Sequence, residues 1–255
     1  MLEGRVVLVT GAGRGIGRGI AEALAEAGAA LALGDLGDGA RETAVAVVAG
    51  GGRALALSMD VTDRASLDAG AARALETFGR IDGWVNNAGV LRMNAALDVS
   101  PEDWDAEVRV NARGVLAGCQ AAARAMAPRG GGAIVNVASN AGKVGYPNMA
   151  VYNATKAAVI SLTRSLAAEW ADRGINVNAV CPGGVDTPML RAVAEWLSPR
   201  LGVGVDALHA QMVPKQLGRH VKPIEVGRVV AFLLSDRASI IRGQALNVDG
   251  GDTPY

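Results

Sequence analysis

Tyr152 and Lys156 stand four residues apart at the start of a strongly periodic apolar segment. At helical pitch that spacing projects both side chains from one face. An ammonium beside a phenol favours the phenolate, which lowers the tyrosine pKa from its ordinary value of about 10. Such a pair can exchange a proton with a substrate oxygen as a general acid and base. Tyr-x-x-x-Lys also arises by chance on helix surfaces, so its neighbours must carry part of the case. Ser139 lies thirteen residues before Tyr152, just past an apolar run. Its hydroxyl can polarise a carbonyl held against the tyrosine, although a serine there is equally an ordinary turn former.

A second group of residues suits a nucleotide. The run Val6–Thr10 leads into Gly11-Ala12-Gly13-Arg14-Gly15-Ile16-Gly17 and then into a helical pattern. A tight glycine turn before a helix lets backbone N–H groups and the positive helix end approach a pyrophosphate. The strict G-x-G-x-x-G pattern fails at Ile16; G-x-x-x-G-x-G through Gly11, Gly15 and Gly17 stands. Asp35 follows at a strand end, where a carboxylate accepts from ribose hydroxyls and repels a 2′-phosphate. Leu36 comes next, not an arginine, so NAD is favoured over NADP; Arg14 is the one nearby cation that could neutralise such a phosphate. Asp60-Val61 can reach an adenine amine, but Asp60 also reads as a helix N-cap or turn residue. Asn86-Asn87-Ala88-Gly89 has the small residues and amides that allow close backbone approach, and Asn and Gly also make plain turns.

These residues need a scaffold. Short β-branched runs recur at Arg5–Val9, Leu31–Leu33, Ala54–Leu57, Gly83–Val85, Ala133–Val137, Ile175–Val180 and Ala245–Val248. Helical periodicity separates them at Ile16–Ala27, Ser66–Phe78, Asp103–Ala127, Val151–Trp170 and Ile224–Leu234. Continuously apolar strands alternating with helices predict an α/β fold: a doubly wound, Rossmann-like parallel sheet of about seven strands with helices on both faces. No linker interrupts the chain, so residues 1–255 read as one catalytic domain. Within it, 183–220 reads as a flexible substrate lid, since prolines and glycines there break a weak helical pattern.

Composition removes several other classes. The 25 basic and 25 acidic side chains leave no formal net charge, which argues against a nucleic-acid-binding face. Cys119 and Cys181 with His209 and His220 are too few for a zinc site or a disulfide framework, so no metal is expected. Reduced thiols, no signal-peptide pattern and no long uncharged apolar stretch predict a cytoplasmic protein away from membranes. Asn153-Ala154-Thr155 matches a glycosylation pattern, but lies inside the proposed catalytic helix and is discounted.

Taken in order, these motifs resemble the classical short-chain dehydrogenases/reductases across essentially the whole chain. T-G-A-G-R-G-I-G at Thr10–Gly17, D-V at Asp60–Val61 and N-N-A-G at Asn86–Gly89 come first. Asn111 in V-N-A-R-G, Ser139, Y-N-A-T-K at Tyr152–Lys156 and P-G at Pro182–Gly183 follow. The resemblance implies Tyr152 as proton donor or acceptor and Ser139 as holder of the substrate oxygen. It also implies Lys156 on the nicotinamide ribose and Asn111 positioning a relay water. A helical Asn can also simply bend its helix. Gly11, Arg14, Gly15, Ile16, Gly17, Asp35, Asp60, Val61, Asn87, Ala88, Gly89, Pro182, Gly183, Val185 and Thr187 become the cofactor contacts, with Thr187 on the carboxamide. Asn140, Asn148 and Met189 join Ser139 and Tyr152 as candidate substrate contacts.

The expected reaction is NAD-linked interconversion of a secondary alcohol and a ketone, with a polyol, sugar or other small hydroxy compound preferred. The alternatives are a 3-oxoacyl thioester reductase using NADPH and a non-catalytic dinucleotide-sensing or interaction protein on the same scaffold. The resemblance further implies a homotetramer, with a dimer as the lesser assembly.

Overall fold

The computed structural model describes residues 1–254 and turns each of the apolar runs into a strand. These are β1 (Val6–Thr10), β2 (Ala30–Asp35), β3 (Arg53–Ser58), β4 (Gly83–Asn86), β5 (Gly132–Val137), β6 (Ile175–Pro182) and β7 (Ala245–Val248). They form one seven-stranded sheet in the order β3-β2-β1-β4-β5-β6-β7, and every ladder is parallel. The winding reverses between β1 and β4. The carboxyl ends of those strands therefore border a crevice, which is where such sheets bind ligands.

Between the strands run α1 (Gly15–Glu26), α2 (Gly39–Ala49), α3 (Arg64–Phe78), α4 (Pro101–Val108) and α5 (Gly114–Met126). They are followed by α6 (Ala150–Glu169), α7 (Pro188–Leu201), α8 (Val205–Gln211) and α9 (Pro223–Leu233). The alternation along β1 sorts the two cores. Val7 and Val9 join Ile20, Leu24, Val226 and Val230 beneath α1 and α9. Leu8 points the other way, into the cluster with Leu67, Trp84, Met126 and Val159 beneath α3, α5 and α6. Fully burying each such side chain contributes about 1.5–3 kcal/mol, which is why the sheet reads as continuously apolar. On the first face the helices touch backbone to backbone: a Cβ on Gly19 would meet the Pro223 carbonyl carbon at 2.4 Å.

Three elements depart from the sequence expectations. The helix α2 was not expected, because its apolar residues do not keep to one face: Val45 and Val48 are 64% and 54% exposed. The expected helix Asp103–Ala127 begins earlier, at Pro101, after Ser100 caps it by accepting from the Asp103 N–H at 3.1 Å. It is then broken into α4 and α5 by a π-helical turn at Arg109–Arg113. The segment 183–220, expected to be irregular, carries α7 and α8, the first capped by Thr187. Its two ends are stitched together by a bridge between Val185 and Val221, with Val221 donating to Gly184 and Asp186 donating to Val221.

Candidate active site

At the carboxyl end of β1 the glycine turn packs directly on its own helix. A Cβ on Gly17 would lie 1.9 Å from the Gly11 carbonyl oxygen, so no larger residue fits there. The N-cap of α1, Arg14, makes no side-chain cap bond. The first-turn N–H groups of α1 thus have no side-chain partner from their own cap, the arrangement that accepts an anion. Asp35 reaches back to this turn: its Oδ2 accepts from the Gly13 N–H and its Oδ1 from the Leu36 N–H, both at 2.8 Å. Its carboxylate is thereby fixed beside the turn. Asp60 proves to be a turn residue, accepting from the Thr62 N–H and hydroxyl; the N-cap of α3 is Asp63.

The segment after β4 is tied to the glycine turn. Asn87 Nδ2 donates to the carbonyls of Thr10 at 3.0 Å and Gly11 at 2.9 Å. The Asn87 and Ala88 N–H groups both point to the Thr10 hydroxyl. Gly89 is sandwiched further on, where a Cβ would sit 3.3 Å from Asn111 Oδ1 and 3.6 Å from Lys156 Nζ. Asn111, buried in the π-turn, grips Val90 through both backbone groups, at 2.9 Å to its N–H and 2.8 Å to its carbonyl. The side chain of Asn111 is therefore occupied in clamping this strand-end segment. A π-turn at such a position fits the habit of these irregularities to gather at functional sites.

Ser139, Tyr152 and Lys156 come together as expected. Ser139 caps a short turn after β5, its Oγ accepting from the Ala141 N–H at 3.1 Å, and it lies near enough to the Tyr152 phenol to draw its pKa downward. Lys156, one helical turn beyond Tyr152, is buried; its Nζ donates to the Val137 carbonyl at 2.9 Å and lies 5.5 Å from the Tyr152 ring centroid. The electrostatics correct one expectation. Burial pushes the phenol up to about 12, with the Ser139 hydroxyl working downward and the Glu107 carboxylate upward. Lys156 does not bring it down: burial lowers the amine itself to about 8, against smaller upward effects of Cys181 and Glu107, so it loses its proton before the phenol titrates. The protein's groups alone thus hold Tyr152 neutral at pH 7.

Other candidates have mixed positions. Asn140 Nδ2 donates to the Tyr146 hydroxyl at 2.9 Å. Asn148, in the left-handed region at φ 62°, accepts from the Asn94 N–H at 3.0 Å. Met189 is 38% exposed on the first turn of α7. A Cβ on Gly15 would touch Thr187 Cγ2 at 3.4 Å, so Thr187 does reach the glycine turn. Its hydroxyl, however, serves as the cap of α7, accepting from the Leu190 N–H at 3.2 Å.

Against known proteins, the family described as Enoyl-(Acyl carrier protein) reductase matches residues 11–253. Oxidoreductase UcpA of Salmonella typhimurium is 43% identical over 253 residues, covering 99% of this chain and 95% of that protein. D-threitol dehydrogenase of Mycolicibacterium smegmatis is 41% identical, covering 99% and 94%. The crystal structure of levodione reductase superposes with a TM-score of 0.93 at 36% identity over 100% of both chains. An actinorhodin polyketide ketoreductase with NADPH gives 0.94 at 37% identity over 98% of each. The chain belongs to the short-chain dehydrogenase/reductase family.

As a short-chain dehydrogenase/reductase it is a nucleotide-binding oxidoreductase, and its residues fit the dinucleotide that the family implies. A turn with no room for a Cβ at Gly11, Gly13 and Gly17, a helix end without a side-chain cap and the fixed Asp35 carboxylate lie together beyond the end of β1. Among the described residues no cluster could hold a metal, and no helix is long and apolar enough to cross a membrane.

Several residues of this short-chain dehydrogenase/reductase take structural parts that the motifs did not show. Thr10 anchors the β4 end, and Thr155 bridges Asn111 to the Tyr152 carbonyl at 3.3 Å and 2.8 Å. Behind them a buried amide chain links Trp84, Asn86, Asn136 and Thr163. Each is a polar residue in an apolar run, a signal of this kind, since buried polar groups must find partners.

Proposed function

We propose that this short-chain dehydrogenase/reductase interconverts secondary alcohols and ketones with NAD, acting on a polyol, sugar or other small hydroxy compound. The observation that carries the reading is the convergence of Ser139, Tyr152 and Lys156 at the carboxyl edge of the sheet, beside the glycine turn. When bound, the nicotinamide supplies the hydride acceptor or donor. Ser139 holds the substrate oxygen and Tyr152 gives or takes its proton. Lys156 holds the ribose hydroxyls, and the packed walls fix the geometry. A neutral Tyr152 is ready to protonate a carbonyl oxygen at pH 7, whereas alcohol oxidation needs the phenolate and gains as pH rises.

Asp35 supports NAD, since its carboxylate repels a 2′-phosphate. The D-threitol dehydrogenase relative supports the polyol preference. A 3-oxoacyl thioester reductase using NADPH is the second reading, favoured by the likeness to a ketoreductase with NADPH; Asp35 weighs against it. The segment 183–220 is the substrate lid, and the protein works in the cytoplasm. A panel of polyols, hydroxy acids and cyclic alcohols, run separately with NAD and NADP and followed by absorbance of the reduced cofactor, tests this reading. Polyol oxidation with NAD is expected, with Asp35→Ala losing at least about tenfold of the NAD preference, about 1.4 kcal/mol. Turnover with NADP alone contradicts the cofactor assignment; no turnover with any alcohol contradicts the reaction.

Assembly into a homotetramer belongs to the same reading. Ala154, Ala157, Ser161, Ser165 and Ala168 form an exposed stripe of small residues along α6, and such stripes suit close approach of a second helix related by symmetry. Leu97, fully exposed, and Trp104, 49% exposed, add an uncovered apolar surface near α4. Sedimentation at micromolar concentration is expected to give the tetramer, and a stable monomer contradicts it.

A further inference from the structure

The loop between Ser139 and Tyr152 carries one aromatic side chain that the exchange just described does not use. Tyr146 is 37% exposed, and both of its ends are tied to neighbours of the proposed catalytic groups. Its hydroxyl accepts from Nδ2 of Asn140, the residue after Ser139, at 2.9 Å. Its backbone carbonyl accepts from Nδ2 of Asn153, the residue after Tyr152, at 3.0 Å. The ring therefore spans the interval from the start of α6 to the turn after β5.

Asn140 ties this ring to the reacting end of the site. It is 5% exposed, and its Oδ1 lies 3.4 Å from the Ser139 Oγ. One carboxamide thus has the Ser139 hydroxyl at one end and the Tyr146 hydroxyl at the other. The amide has no room to swing toward β6, because a Cβ on Gly183 would meet its Nδ2 at 2.3 Å. The loop is pinned once more at Asn148, left-handed at φ 62°, whose carbonyl accepts from the Asn94 N–H. A phenol held in this way is preorganised, so a ligand spends little entropy in fixing it.

The phenol also has hydrogen-bonding capacity to spare. A tyrosine hydroxyl both donates and accepts. Asn140 occupies the acceptor side of the Tyr146 oxygen, and no acceptor among the described residues meets its proton. Asn140 is itself too deeply buried to present its amide, which leaves Tyr146 as the exposed end of the pair. The span between the two hydroxyls is one amide and two polar contacts. Oxygens on adjacent carbons of a substrate fit that span, the first on Ser139 and the second on Tyr146.

We propose that Tyr146 is a specificity residue that donates to a second substrate hydroxyl, on the carbon next to the one oxidised or reduced. This rests on Ser139 holding the reacting oxygen in the function proposed above. The site thereby selects vicinal diols and hydroxyketones over plain alcohols and ketones. Because the phenol is partly exposed, water satisfies it when the second hydroxyl is missing. The preference is then that of one neutral hydrogen bond, about tenfold, and not the far larger rejection of a site with a buried unpaired donor.

The test compares propylene glycol with isopropanol, which differ by one hydroxyl beside the reacting carbon. Each is run with whichever of NAD and NADP supports turnover. Tyr146→Phe is expected to lower kcat/KM for propylene glycol about tenfold and to leave isopropanol within about twofold of wild type. Equal losses on the two alcohols, or no loss on either, overturn the proposal.

A binding measurement separates that result from a failure of the reaction itself. Carbon-13 NMR of ring-labelled protein reports only three tyrosines, and the Tyr146 signal is the one lost in Tyr146→Phe. If that variant does not fold, Tyr152→Phe and Tyr255→Phe identify the signal by elimination. In wild-type protein loaded with reduced cofactor, propylene glycol is expected to move the Tyr146 signal saturably at concentrations where isopropanol does not. A signal that propylene glycol leaves in place overturns the proposal. A protein that shows the shift and yet oxidises neither alcohol refutes the reaction alone.

Discussion

Tyr152→Phe is expected to lower kcat by about 10³-fold, within the range that a positioned acid or base contributes. NAD binding is expected to stay close to wild type. The ring remains over Lys156, 5.5 Å from Nζ, so packing and the cation–ring contact survive. What disappears is the hydroxyl that sits beside Ser139 and that the proposed reaction uses to exchange the substrate proton. Steady-state kinetics with calorimetric NAD titration separate the two effects. A variant with near-normal kcat removes Tyr152 from the chemistry, and one that loses NAD binding shows that the phenol was holding the cofactor.

Lys156→Met is expected to abolish most turnover and yet to stabilise the fold at neutral pH. In the unfolded chain a lysine titrates at about 10.4, but burial lowers the folded value to about 8. Between those values the unfolded chain holds a proton that the folded chain lacks, so the contribution of Lys156 to stability rises with pH. The interval is worth about 3 kcal/mol at about 1.4 kcal/mol per pH unit. Below pH 8 the full cost of burying the ammonium is present. Methionine removes that cost and loses the hydrogen bond to Val137, worth about 1 kcal/mol. A net gain of about 2 kcal/mol at pH 7 should shrink as pH rises, reach zero near about pH 10 and give way to a small loss above it, where only the missing hydrogen bond remains. Urea unfolding of both proteins at pH 7 and pH 10 checks this, and parallel pH dependences would refute it. Stability surrendered at a functional lysine is a familiar cost of activity.

The sheet was legible because its inner strands β1, β2, β4, β5 and β6 are buried on both faces and so read as uninterrupted apolar runs. The proposed catalytic trio was legible for a different reason: tyrosine, lysine and serine at a helical and turn spacing are few and chemically distinct. Two kinds of feature escaped. Where the apolar pattern fails to mark a buried face, as at Val45 and Val48 in α2, periodicity cannot show the helix. Where a break depends on a side chain from elsewhere, as Asn111 depends on Val90, local propensity carries no sign of it. The tyrosine expectation erred because sequence spacing shows that Lys156 is near, but not that the same burial makes the amine lose its proton before the phenol does. Glu107 reads in sequence as one acidic residue of an ordinary solvated helix, PEDWDAEV; only the fold turns it inward.

The neck at Gly184, Val185, Asp186 and Val221 has an evolutionary consequence. Everything between those residues leaves and rejoins the sheet's edge through one narrow seam, whereas Ser139, Tyr152 and Lys156 are held by β5 and α6. Insertions, deletions and repacking in α7 and α8 can therefore accumulate without moving the proton-handling groups. The molecule separates into an inherited engine and an exchangeable mouthpiece, and a relative can change its diet by rewriting the second while leaving the first untouched.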